Sequence, residues 1–102
     1  MPLPLVFRRR AGRDLAGSFA YYEEQLDGLG ERFLGAVVFT FDAIERYPEI
    51  FAMVNRDVRR AIVMQFPYAV FYRIESRRVV VLRVLHTARD PKVWPRSQRR
   101  AR

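Results

Sequence analysis

The stretch FPYAVFYRIESRRVVVLRVLH, residues 66–86, contains two apolar runs separated by a charged break, and its reading decides the fold. Ala69 to Ile74 and Val79 to Leu85 are rich in β-branched and aromatic residues and too short for stable helices, so both read as strands. Phe66-Pro67-Tyr68 and Glu75-Ser76-Arg77-Arg78 supply the turns. A third strand is predicted just upstream, over Val58 to Gln65. Consecutive strands with short connections pair antiparallel, so the C-terminal half is a three-stranded meander. Side chains alternate across a strand. If Arg73 and Arg83 avoid the core, then Val70, Tyr72, Ile74, Val80, Leu82 and Val84 turn inward, and Phe71, Val79, Val81 and Leu85 share the opposite face with the two arginines. Ala61 and Val63 are expected on that same outer face.

Upstream of the meander the apolar period lengthens. Leu15, Phe19, Tyr22 and Leu26 recur at helical spacing within Ala11 to Leu26, a helix that Gly28 ends. A second helix is predicted from Leu29 to Tyr47, with a stripe of Phe33 or Leu34, Val37, Val38, Phe41 and Ile44, and with Pro48 just past its end. The Asp27-Gly28-Leu29-Gly30 link makes the two an antiparallel hairpin. Leu3 to Arg8 follows Pro2, contains Pro4 and reads as a short opening strand. The expected fold is α+β: an N-terminal strand, then a helical hairpin packed on a mainly antiparallel sheet. Residues 1–94 form a single domain, followed by a basic tail over 95–102 that is expected to be disordered.

Composition narrows the function. Half of the 102 residues are hydrophobic and none is cysteine, which excludes disulfides, thiolate metal sites and a cysteine nucleophile. No apolar run approaches the length of a membrane span and no signal-peptide pattern is present, so the chain reads as cytoplasmic, without membrane contact. The net charge of +8 is unevenly placed: residues 1–55 carry six arginines against eight acids, residues 56–102 thirteen cations against three. Such asymmetry suits a polyanionic partner, either nucleic acid or an acidic protein. Glu23 and Glu24 diverge on a helix and read as surface, while Glu45 and Glu49 have no histidine near them in sequence, so no metal and no cofactor is expected. Gly28-Leu29-Gly30 lacks the phosphate-binding pattern and reads as a turn.

The outer sheet face is the expected partner surface, because small domains rarely leave a contiguous apolar face in water. Phe71, Arg73, Val79, Val81, Arg83, Leu85 and Val63 would form it, arginine interleaved with aliphatic and aromatic groups as in interface cores. Phe39 falls opposite the main helix stripe and would be a second contact, for a partner helix or another copy.

Taken in order, Tyr21-Tyr22-Glu23-Glu24, Gly28-Leu29-Gly30-Glu31-Arg32-Phe33-Leu34, Tyr47-Pro48, Phe66-Pro67-Tyr68, Val70-Phe71-Tyr72-Arg73, then His86, Arg89-Asp90-Pro91 and Trp94 resemble the RelE/ParE superfamily of type II toxins, closest to its ParE-like, plasmid-stabilisation branch. The resemblance covers roughly residues 4–94. It implies a small toxin neutralised by a cognate antitoxin, as a homodimer or a toxin–antitoxin heterotetramer. RelE-like members cleave messenger RNA on the ribosome, which calls for a base, a cation and an acid around the phosphate. Of the RelE-type cations, the paired lysine positions fall on Arg60 and Ile62, and the arginine after the turn tyrosine is replaced by Ala69. Arg89 keeps a catalytic-type position and Trp94 lies near an expected aromatic. ParE-like members instead resemble binders that poison DNA gyrase, and this is the leading expectation. The rival is a messenger RNA endonuclease, ribosome-dependent or free, using His86, Arg89, Arg60 and Trp94; a second rival is a non-toxic interaction module of the same fold. Arg89, Lys92, Trp94 and Arg96 are expected to contact the target or nucleic-acid phosphates.

Overall fold

The computed structural model describes residues 2–88. Its elements run β1 (Leu5–Phe7), α1 (Arg9–Gln25), α2 (Leu29–Arg46), β2 (Met53–Asn55), β3 (Val58–Ile62), β4 (Tyr68–Glu75) and β5 (Arg78–His86). The strands form one sheet in the order β1-β5-β4-β3-β2, antiparallel except where β1 runs parallel to β5. Both helices pack on one face of it, which is the expected α+β arrangement. The tail over 95–102 lies outside the described residues. The short strand β2 sits between the predicted second helix and the predicted strand at Val58, where no element is expected; it pairs with β3 across a tight turn where Arg56 has φ of 52°. Ser76 and Arg77 are also left-handed, with φ of 50° and 65°, and sit between the paired Glu75 and Arg78. Two such residues in a two-residue loop follow the strand twist.

The helical hairpin closes on two glycines and one carboxylate. Gly28 adopts φ of 86° at the start of α2, a conformation that strains a residue with a Cβ. Glu23 reaches from α1 to accept the Gly28 and Gly30 N–H groups, both at 2.9 Å, and so satisfies two of the free donors at the start of α2. Glu23 is therefore a cap and not a solvated surface group. A Cβ on Gly30 would stand 2.8 Å from the Phe19 carbonyl oxygen, so the helices meet there at backbone distance.

Between helices and sheet, Ala11, Phe33, Val37 and Ile44 are fully buried, and Phe33 packs edge-on to Tyr68 with ring centroids 4.9 Å apart. The strands contribute Val70, Tyr72, Val79, Val81 and Val84 to the same cluster. Each such valine removed from water stabilises the fold by roughly 1.5–2 kcal/mol. On the β3 side, Tyr72 Oη donates to the Pro48 carbonyl at 2.7 Å, and Arg59 Nη1 donates to the Glu49 and Phe51 carbonyls at 3.0 and 2.8 Å. These three bonds hold the 48–51 loop down.

One irregularity overturns part of the predicted face assignment. Phe71 pairs with Arg83 but Tyr72 pairs with Val81, so Leu82 stands opposite no residue of β4. An extra residue of this kind reverses the alternation of the strand that carries it. Val79 and Val81, expected on the outer face, are 0 % exposed in the helix-facing core, whereas Val80 and Leu82, expected inward, join Val58, Ala69 and Phe71 in a second cluster on the opposite face. Beyond the bulge Val84 faces the helices as predicted. Ala61 and Val63 also belong to the helix-facing core. Ala61 pairs with Val70, and directly opposed residues share a face.

The bulge sits beside a clamp between sheet and helix. Arg83 Nε and Nη2 donate to the two carboxylate oxygens of Asp14 on α1 at 2.8 and 3.1 Å, and the Val84 N–H donates to Asp14 Oδ2 at 3.0 Å. Both side chains are less than one-fifth exposed. Arg83, expected on an open partner surface, is thus committed within the chain.

Three stability measurements follow from these contacts. Asp14→Ala strands a shielded guanidinium and an N–H group and should destabilise by about 2–3 kcal/mol in a urea titration. Gly30→Ala forces the helices apart and should cost roughly 1–3 kcal/mol, whereas Gly12→Ala, with open space around its Cβ, should not destabilise. Burial pushes the Tyr72 hydroxyl up to about 12 from 10.0, with Arg59 opposing in part. Because the folded pKa is the higher one, this contribution is intact below about pH 10 and is lost as pH rises through 12. Alkaline denaturation of wild type and Tyr72→Phe should show that loss in the wild type alone.

Candidate functional site

β1 pairs with β5 only from Val79 to Val81, and past that point α1 runs beside the uncovered edge of β5. The gap between them is an open cleft of about 650 Å³, lined on the helix side by Arg13, Gly17, Ser18 and Tyr21 and on the sheet side by Tyr68, Leu85 and His86. The Asp14–Arg83 pair forms one end of it. Tyr22 and Tyr68 anchor the other end: Tyr22 packs on Phe33 and Phe66 at 5.2 Å each, and Tyr68 meets the His86 ring at 5.3 Å. Burial raises the Tyr22 pKa above its usual value, with the neighbouring Tyr68 adding to the effect. The cleft thus has aromatic walls, hydroxyl groups and a cationic rim.

His86 is half-buried at the end of β5, on the helix-facing side where alternation places it. Its Nδ1 accepts the Ala88 N–H at 3.1 Å. Arg60 stands elsewhere. It pairs with Phe71, a member of the second cluster, and so belongs to the opposite face of the sheet. The structure therefore does not bring Arg60 and His86 together. Arg89, Lys92, Trp94 and Arg96 lie outside the described residues.

The expected partner surface is divided in the same way. Val63, Val79 and Val81 are in the helix-facing core, Phe71 is buried in the second cluster, and Leu85 packs against that cluster. Arg73 is hydrogen-bonded to Glu75, which also lies 3.8 Å from Arg8. Phe39 is 67 % exposed on α2, where its helical position predicts. Asp14, Arg13, Gly17 and Ser18 were not anticipated as site residues. One signal was available: Asp14 is the single acid in a stretch that holds Arg8, Arg9, Arg10 and Arg13.

Among the described residues no cluster of three His, Asp or Glu side chains could hold a metal ion, and no helix is long and apolar enough to cross a membrane.

This architecture matches known toxins. The structure is similar to a chromosomal ParDE toxin–antitoxin system from P. aeruginosa, with a TM-score of 0.63 and 18 % identity over 82 % of this chain and 95 % of that one. It is also similar to the toxin–antitoxin complex RelBE2 from Mycobacterium tuberculosis, with a TM-score of 0.61 and 29 % identity over 84 % of this chain and 99 % of that one. No curated protein matches the chain in sequence. The family model for the ParE toxin of the type II toxin–antitoxin system parDE matches residues 5–91. With the strand order, the helical hairpin and a family match over most of its length, the chain belongs to the ParE toxin family of type II toxin–antitoxin systems.

Proposed function

We propose that this toxin acts by binding its target rather than by cutting RNA, that the target is DNA gyrase, and that a cognate antitoxin neutralises it in the cytoplasm. The observation that carries the binding mode is the separation of Arg60 and His86 onto opposite faces of the sheet. RNA cleavage by transfer to the 2′-hydroxyl needs a cation and a proton-transfer group around one phosphate. Two groups divided by the sheet cannot serve one phosphate. Family membership supplies the gyrase reading, and Arg89, Lys92, Trp94 and Arg96 are proposed to contact the target. The endonuclease reading draws support from a different feature: His86 lines a cleft with Arg13 and three tyrosines, a cation and aromatic faces that suit a nucleotide.

Purified protein should inhibit gyrase supercoiling and leave ribosome-bound message intact, with His86→Ala retaining the inhibition. Message cleavage that disappears in His86→Ala would overturn the binding mode. Intact message together with unaffected supercoiling would overturn gyrase as the target.

A further inference from the structure

The sheet face turned away from the helices is buried, although none of the described elements lies over it. Phe71 stands in the middle of that face with 1 % of its surface exposed, and Ala69, Val80 and Leu82 around it are buried as well. Their cluster draws only on strands: Val58 from β3, Val54 from β2 and Leu85 from β5 complete it, and no residue of either helix belongs to it. Neighbours in a pleated sheet stand beside a side chain, not above it, so burial of a central phenylalanine calls for a second layer. Arg73 does not supply it, because its guanidinium bonds Glu75, further along β4 and away from Phe71. Phe71 itself, and Asn55 opposite Val58, are not without partners. The chain therefore covers β4 and β5 by itself. The cover stops short of the β3 edge, where Ile62, opposite Ala69, is 54 % exposed.

Residues 89–102 begin in the right place to provide it. The N-terminus enters from the helix side, where the Leu3 N–H donates to the Glu45 carbonyl at 3.1 Å. At the other end, the Thr87 N–H donates to the Pro67 carbonyl at 2.8 Å and holds the chain beside the start of β4. Phe71 lies four residues beyond Pro67, about 13 Å at the rise of a strand. The six steps from Ala88 to Trp94 span up to roughly 20 Å, and Asp90-Pro91 is a turn-forming pair that permits the reversal. Composition names the anchor. The apolar groups of this segment gather at Pro91, Val93, Trp94 and Pro95, and an indole offers the largest apolar area among them and a ring to pair with that of Phe71. A second copy is a poor occupant. Arg60 and Arg73 belong to this face, so a two-fold contact would set them against their own like in a chain of net charge +8.

We propose that residues 89–95 fold back over β4 and β5 and seat Trp94 on Phe71, as the outer layer of the second cluster. One face of the indole is spent on the sheet. Arg89, Lys92 and Arg96 are thereby held above the same face as Arg60, as a fixed group of cations. The anchor holds whichever target the protein binds, and its failure would leave the gyrase reading as it stands.

Trp94 is its own probe, because the chain has no other tryptophan. In the full-length protein its emission should be blue-shifted from that of N-acetyltryptophanamide and several-fold less quenched by acrylamide. Nuclear Overhauser contacts should run from the indole protons to the Phe71 ring and the Leu82 methyl groups. Trp94→Ala should lower Tm by at least about 4 °C, and Trp94→Phe by less. Quenching equal to that of the free indole, no contact with Phe71, or an unchanged Tm in Trp94→Ala would each overturn the proposal. Shielding that is lost on dilution would assign the cover to a second copy and overturn it as well.

Discussion

Leu82 has no counterpart on β4, and most of what distinguishes this molecule depends on that one unmatched position. It makes Val79 and Val81 core residues and moves Val80 and Leu82 to the opposite cluster. It stands beside Arg83, whose guanidinium meets Asp14, so the edge of β5 is tied to α1 at the point where β1 has ended. It also restores the helix-facing direction for Val84 and His86. Had the alternation run unbroken, Arg83 would continue the inward series of Val79 and Val81, and an arginine would occupy a core position that Val84 now fills.

What could be read from the sequence was what repeats. The alternation over Ala69 to Ile74 and the helical stripes through Leu15 and Val37 extend over enough residues to define a period, and they gave the elements in the right order. A bulge breaks the period in one place. Leu82 is an ordinary strand residue, with no glycine beside it to announce a change of parity, so the faces of β5 could not be assigned by counting. The three residues of β2 are too few to show alternation. The Asp14 clamp joins positions 69 and 70 residues apart, and the Glu23 cap reaches across a hairpin turn; neither contact exists until the chain has folded.

The cleft was illegible for the same reason. His86 stood out in the sequence because it is the single histidine, yet its surroundings come from α1, more than sixty residues earlier in the chain. Arg60 was grouped with it by a family pattern, and only the pairing with Phe71 places the two on different sides of the sheet. What the fold brings together in the cleft is tyrosine hydroxyls, the single histidine and Arg13, drawn from α1, β4 and β5.

The turns of the meander have a consequence for the protein's lifetime. Arg56, Gln65, Ser76 and Arg77 all hold left-handed backbone without being glycine, one or two in each connection from β2 to β5. A residue with a Cβ in that region costs on the order of 1 kcal/mol or more. Several kcal/mol is a large part of the net stability of a domain this size. Backbone strain of this kind raises the share of unfolded chain, which is the form that cellular proteases cut. Any partner that binds only the folded form lowers that share in proportion to its occupancy, so the amount of this protein in a cell is coupled to the amount of whatever holds it.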